Sequence, residues 1–383
     1  MEFRDLNRQY NVLKSRIDSS IISVIESSRF ISGPEVERLE ESLAKYVGVR
    51  HCITCGNGTD AISIAMSVWN IGKGDAVFVP DFTFFSTAEC PADLGATPVF
   101  VDVDDLTFNL DPLKLEIAIK KVISDGVLRA KAVIAVDLFG LPADYKKIKK
   151  ICNKYGLLLL EDSAQGFGGQ IDEKKACSFG DISTTSFFPA KPLGCFGDGG
   201  AIFTDNDEWA DMIRSICVHG KDTSSDDPNS KYNNIRLGRN SRLDTIQAAV
   251  LLEKFNAFKE YELNDVNNNA LLYQKNLKNT DLILPNVSEG YYSSWAQYTI
   301  RLPHYIRRDM IQKSLKANGI PTMIYYAKPL HTQKAFEGSY SEKTANCPIT
   351  ESLCSTVLSL PLDPYKTKAE IEYVTNEIKK YCN

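Results

Sequence analysis

Between about residues 50 and 205 the chain alternates short apolar runs with helical segments. The runs are Cys52–Cys55, Ala76–Pro80, Pro98–Val103, Ala132–Leu138, Leu157–Glu161, Ile182–Phe187 and Ala201–Thr204. Segments with a 3.6-residue apolar period, such as Asp60–Trp69 and Ala143–Tyr155, lie between most of them. A strand followed by a helix returns the chain parallel to where it began. The alternation therefore specifies an α/β fold with a largely parallel sheet covered on both faces. Ligands in such sheets sit beyond the carboxyl ends of the strands, so the residues just after each run carry the functional information.

The flanking segments read differently. A helix starts at Pro34, directly after Gly33, and runs to Tyr46, with proline in its first turn. Ser241–Tyr261 reads as a long helix, and the polar, Asn/Ser-rich stretch Asp222–Asn234 as an exposed loop. The remainder mixes a strand, Gln297–Leu302, with helices at Arg308–Asn318 and Lys368–Tyr381. The expected division is a large α/β domain over 1–255 and a smaller α+β domain over 256–383.

Composition closes off several functions. The 383 residues carry 44 Lys+Arg against 49 Asp+Glu, a net charge of -5. That balance lacks the basic field that a nucleic acid or an anionic membrane selects. No apolar run approaches the ~18 residues that span a bilayer, and Met1–Asp5 shows no signal core. The expectation is a soluble, cytoplasmic protein with no nucleic-acid or membrane partner. Ten Cys accompany only 4 His, so free thiols are expected rather than disulfides or a metal site. Cys52 and Cys55 form a C-x-x-C, but on a strand their side chains point to opposite faces.

Four strand ends stand out. Gly56-Asn57-Gly58-Thr59-Asp60-Ala61 is a glycine turn feeding a helix N-terminus. It fits a tight turn capped by Thr59 or Asp60, a phosphate cradle, or a dinucleotide fingerprint with Asp81 as its distant acid. Asp162, in Glu161-Asp162-Ser163-Ala164-Gln165, ends an apolar strand. A buried carboxylate needs a cation, a donor or a metal, and a protonated pyridine nitrogen is one such cation. Lys191 lies between two strands in Ser186-Phe187-Phe188-Pro189-Ala190-Lys191-Pro192-Leu193-Gly194, among aromatic and apolar residues. That setting lowers an ammonium pKa and frees a nucleophilic amine. Asp81-Phe82-Thr83-Phe84-Phe85 offers aromatic faces that can stack on a flat ring. Phosphate cradle, aromatic platform, strand-end acid and lysine together form the set that pyridoxal 5'-phosphate requires.

On these motifs the chain resembles the DegT/DnrJ/EryC1/StrS sugar-nucleotide aminotransferases, which share the aspartate aminotransferase (type I) fold. The likeness runs from Phe3-Arg4-Asp5-Leu6 and Ser32-Gly33-Pro34-Glu35-Val36 to Asn240-Ser241-Arg242-Leu243-Asp244 and Ser359-Leu360-Pro361-Leu362. It implies pyridoxal phosphate as cofactor, with Lys191 as the Schiff-base lysine. Asp162 would pair the pyridine nitrogen, Gln165 lie near the ring hydroxyl and Phe84 stack on the ring. Gly58, Thr59, Asp60 and Ser186 would serve the phosphate. Asn240 would reach the cofactor phosphate of a second subunit, implying a homodimer. Arg242, Tyr325, Tyr326 and His331 fall at substrate-side positions. The likeness is greatest to enzymes that aminate a UDP-linked 3-keto-N-acetylglucosaminuronic acid for bacterial surface polysaccharide (lipopolysaccharide O-antigen), with L-glutamate as donor. Two departures bear on the sugar: Tyr325-Tyr326 stands where many members read His-Tyr, and Asp137 where many carry His. A UDP- or dTDP-linked 3-keto or 4-keto sugar is the alternative substrate. Remoter alternatives are a sugar dehydratase, an NAD-dependent oxidoreductase and a non-catalytic regulatory member.

Overall fold

A computed structural model describes residues 1–223 and 232–382. The expected loop Asp222–Asn234 therefore lies largely outside the described residues.

Seven strands form the central sheet: β1 (His51–Cys55), β2 (Asp75–Pro80), β3 (Thr97–Val101), β4 (Arg129–Val136), β5 (Leu158–Asp162) and, after the short pair β6 (Gln170–Ile171) and β7 (Lys174–Lys175), β8 (Ile182–Ser186) and β9 (Gly200–Thr204). Their order is β1-β9-β8-β5-β4-β2-β3, and β9 alone runs against its neighbours. The run Asp75–Pro80 is buried throughout. A strand covered on both faces must be apolar on both, so this sequence shows a continuous run and no alternation. All seven expected strands are present, with ends displaced by up to three residues. The expected strand Ala132–Leu138 stops at Val136, because Leu138–Gly140 closes a tight helical turn.

Helices cover both faces. They are α1 (Leu6–Ser27), α2 (Pro34–Val47), α3 (Gly58–Val68), α4 (Ser86–Asp93), α5 (Pro112–Asp125), α6 (Tyr145–Tyr155), α7 (Asp207–Cys217) and α8 (Thr245–Ala257). Helix α3 is buried along most of its length and packs in one core with Val77, Ile134 and Ile202. Helices α5 and α6 cover the opposite face with Phe78, Val133 and Leu159. The long helix does not end at Tyr261: α8 passes through a π-turn, Phe258–Glu262, into α9 (Leu263–Leu277). One helical rod therefore crosses residue 255. Beyond it, β11 (Tyr298–Arg301) pairs with β12 (Val357–Leu360), after the two-residue β10 (Tyr291–Tyr292). With α9, α10 (Arg308–Ala317) and, past the short α11 (Tyr340–Thr344) and α12 (Pro348–Thr356), α13 (Lys368–Lys379), they enclose a second core around Tyr273, Tyr298, Leu360 and Ile371.

The first residues clasp the last domain. Asp5 N–H donates to Asp363 Oδ2 at 3.0 Å, Lys366 Nζ to the Glu2 carbonyl at 2.8 Å, and Arg8 forms a two-pronged ion pair with Glu370. Arg4, between them, reaches the Pro192 carbonyl, next to Lys191.

Ile134 is fully buried in the middle of the sheet. Ile134→Ala should destabilise the protein by about 2–5 kcal/mol, through lost burial and an unfilled cavity. Urea unfolding checks this, and a loss below the range would show that the core there can collapse.

Candidate active site

At the carboxyl edge of the sheet a cavity of about 380 Å³ opens between the strand ends and the C-terminal region. That is the size range of small-molecule sites. Asn57, Gly58, Thr59, Phe84, Asp162, Gln165, Ser186, Lys191, Gln297, Tyr325 and Tyr326 are among its lining.

The turn before α3 makes the first wall. Asn57 caps the helix, its side chain accepting from Asp60 N–H at 2.8 Å. The N–H groups of the first turn are thereby aimed outward with the positive end of the helix dipole behind them. Glycine is required at 58 because a Cβ there would lie 2.7 Å from that of Ser186. Close approach brings the helix start and the Ser186 hydroxyl onto one small space, a cradle for a phosphate. Asp60 is placed differently from its neighbours. Its carboxylate accepts from the Ser241 hydroxyl at 2.6 Å, and it does not line the cavity.

Asp162 and Lys191 form the second wall. The pleat of β5 sends neighbouring side chains to opposite faces. Glu161 turns into the protein and Asp162 into the cavity. Burial raises the Asp162 pKa, opposed by the Ala164 N–H (3.1 Å), the Lys191 charge and the Thr87 hydroxyl. Burial lowers the Lys191 pKa, and Asp162 opposes it. Each group thus lowers the cost of the other's charge. A cation taking the place of the Lys191 charge beside Asp162 would be stabilised in the same way.

The third wall comes from the C-terminal region. Gln165 Oε1 accepts from Phe139 N–H at 2.9 Å and its Nε2 donates to the Tyr326 hydroxyl at 3.1 Å. Tyr326 meets Phe82 edge to face. Phe84 stands 56% exposed at the mouth, free to cover a flat ring. Gln297, read in the sequence only as a strand start, also lines the cavity, and its buried Oε1 has no hydrogen-bond partner among the described residues.

Besides Asp60, three expected site residues lie elsewhere. His331 does not line the cavity. Its Nδ1 is 2.6 Å from Asp81 Oδ2, its backbone N–H donates to Asp81 Oδ1, and the bond to Asp81 raises its pKa. This pair fastens the segment after Tyr326 to the end of β2. It also removes the dinucleotide reading, because both oxygens of Asp81 are engaged and the residue is fully buried. Cys347 joins the pair. The three donor atoms lie within 4.8 Å of one another, the one such His/Cys/acid group among the described residues. Asn240 and Arg242 are exposed and outside this cavity. Cys52 and Cys55 are free and buried, as are all ten cysteines.

The residues present fit pyridoxal phosphate. The Gly58–Ser186 space would take the phosphate, Asp162 the pyridine nitrogen, Phe84 the ring face, and Lys191 Nζ the aldehyde carbon.

Comparison with known proteins agrees. The chain is 43% identical over 374 residues to the UDP-2-acetamido-2-deoxy-3-oxo-D-glucuronate aminotransferase of Pseudomonas aeruginosa, covering 98% of each. A DegT/DnrJ/EryC1/StrS aminotransferase from Brucella abortus, known as a crystal structure, superposes with a TM-score of 0.93 at 44% identity, over 100% of this chain and 99% of that one. NtdA of Bacillus subtilis, solved with bound cofactor PMP, superposes with a TM-score of 0.84 at 30% identity, over 100% of this chain and 85% of that one. The model of the DegT/DnrJ/EryC1/StrS aminotransferase family matches residues 11–379, and the chain belongs to that family.

Proposed function

We propose that this pyridoxal phosphate-dependent aminotransferase moves the amino group of L-glutamate to C3 of a UDP-linked 2-acetamido-3-keto-glucuronic acid, in the cytoplasm, for a bacterial surface polysaccharide such as O-antigen. The observation that carries the chemistry is the facing pair Asp162–Lys191 in a cavity of small-molecule size. The sugar assignment is supported by the 43% identity to the Pseudomonas aeruginosa enzyme. Supporting the location, no helix among the described residues is long and apolar enough to cross a membrane.

When bound, pyridoxal phosphate supplies an electron sink that acidifies the C–H bond next to the amino group. Lys191 has two tasks. Its Nζ, whose pKa burial lowers, would be the nucleophile that holds the cofactor. With the cofactor and substrate bound, the same Nζ would be placed to take a proton from the substrate carbon and to give it back. Asp162 would pair with the pyridine nitrogen and favour its protonated form. Gln165, held by Phe139 N–H and Tyr326, would lie near the ring hydroxyl. The helix start of α3 and Ser186 fix register at the phosphate. A non-catalytic reading gives no reason for a lysine buried beside a strand-end carboxylate.

Asn240 and Arg242 face outward, on a segment where Ile235 is 51% and Leu237 97% exposed. Phe30 and Ile31 are exposed beside it, tied by Thr245 N–H to the Phe30 carbonyl and a bridge from Ile31 to Asp244. Large apolar side chains exposed together mark a surface that another protein covers. A second copy of this chain, its Asn240 completing the neighbour's phosphate site and its Arg242 reaching the neighbour's substrate, accounts for both. In a symmetric pair each subunit lends the same residues to the other.

Lys191→Ala should abolish borohydride trapping of pyridoxal phosphate and lower turnover by about 10²–10⁴-fold or more. A wild type that traps nothing, or a variant that traps at full yield, refutes the assignment. Among UDP- and dTDP-linked 3-keto and 4-keto sugars, amine transfer should favour the UDP-linked 3-keto uronate, and transfer to 4-keto sugars alone would sink that preference. Mixing subunits tests the shared site. Lys191→Ala and Asn240→Ala, each impaired alone, should recover about a quarter of wild-type activity when reassorted, because each mixed dimer keeps one intact site. No recovery would place Asn240 in its own subunit's site.

A further inference from the structure

Below the strand end that carries Asp162 lie two buried carboxyl groups. Asp137 and Glu161 are both fully buried. A single hydroxyl, that of Ser163, lies between them, hydrogen-bonded to Asp137 Oδ2 and 3.2 Å from Glu161 Oε1.

The donors around the two are unequal. Glu161 accepts from Cys177 N–H (2.6 Å), Phe179 N–H (2.6 Å), Gly180 N–H (3.3 Å) and the Ser183 hydroxyl (2.7 Å). Four donors besides Ser163 therefore converge on the Glu161 oxygens. Asp137 Oδ1 accepts from Ala143 N–H (3.1 Å) and from the Tyr145 hydroxyl (2.7 Å). Its Oδ2 meets the Ser163 hydroxyl, which has one proton to give. Were both acids ionised, that proton could serve only one, and the other would press a lone pair against the Ser163 oxygen. The titratable groups facing Asp137 are Tyr145, Glu161 and Cys177, none of them a cation. Lys174 interacts with Glu161 but is not among the main influences on Asp137. Space is short as well, since a Cβ at Gly166 would lie 2.3 Å from that of Asp137.

We propose that Asp137 is a neutral carboxylic acid in the folded enzyme, its Oδ2–H donating to Ser163 Oγ while the Ser163 hydroxyl donates to Glu161 Oε1. Every donor then meets an acceptor, and the layer under Asp162 carries one negative charge instead of two. Burial and the Glu161 charge both act in this direction, holding the Asp137 carboxyl well above the usual carboxylate range. Asp137 is a positioning residue. Its backbone N–H donates to the Asp162 carbonyl at 3.0 Å, and its side chain fixes Ser163, the next residue. The place of this proton does not depend on which sugar is aminated.

The experiment uses the full-length chain, with and without pyridoxal phosphate. Infrared spectra of wild type at pH 7, with ¹³C-labelled aspartate for assignment, should show a protonated-carboxyl C=O stretch that moves on deuteration. D137N should lack it. Urea unfolding gives the second readout. The unfolded chain releases the Asp137 proton above pH ~4 while the folded one retains it, so wild type loses stability relative to D137N as pH rises. The unfolding constant of wild type relative to D137N should rise about tenfold per pH unit between pH 5 and 7. D137N is the reference because its amide can donate to Ser163 and accept from Ala143 and Tyr145 without carrying a titratable proton. A labelled wild type without the protonated band, or a stability ratio flat with pH, overturns the proposal.

Discussion

Two neighbouring carboxylates on one strand organise this site. The pleat of β5 forces Glu161 and Asp162 to opposite faces, and both are buried. A buried charge must be matched or it is not tolerated. Glu161 is matched from within, by the 177–183 loop, and so nails that loop to the strand. Asp162 keeps an open side toward Lys191. One residue spends its charge on architecture, and its neighbour keeps charge available for chemistry. The order of β5 beside β8 then brings the lysine loop, which follows β8, to the carboxylate.

Much of this was legible in the chain. Strand ends were readable because an apolar run and the glycine or acid that ends it are local signals. Lys191 and Asp162 could be brought together on paper because adjacent parallel strands deliver their following loops to the same edge. The Gly58–Ser186 approach was half legible: the glycine was visible, but the serine that demands it is 128 positions away.

What stayed hidden was pairing at long range. His331 looked like a substrate residue because it follows two tyrosines that do line the cavity. Its partner, Asp81, is 250 positions earlier and was read as part of another motif. Gln297 lay inside an expected strand, where an amide has no local signature of function. The helix ran past Tyr261 into α9 because no glycine or proline stops it, and its polar residues either face solvent, as Lys259 and Glu260 do, or find partners inside, as Glu262 does with Gln9 and Tyr365. Each miss concerns a contact made by topology after the local structure had formed.

The clasp between the first residues and the last domain also sets an order in time. Arg4 steadies the loop beside Lys191, yet its own segment is tied down by Asp363, Lys366 and Glu370. The N-terminal residues leave the ribosome first, and their partners follow some 360 residues later. At the usual pace of synthesis that wait is tens of seconds. A truncated chain, or one still being made, has the strands and the lysine but not the fastened loop. The clasp therefore makes the hold on the lysine loop depend on residues 363–370, at the far end of the chain from the arginine that touches it.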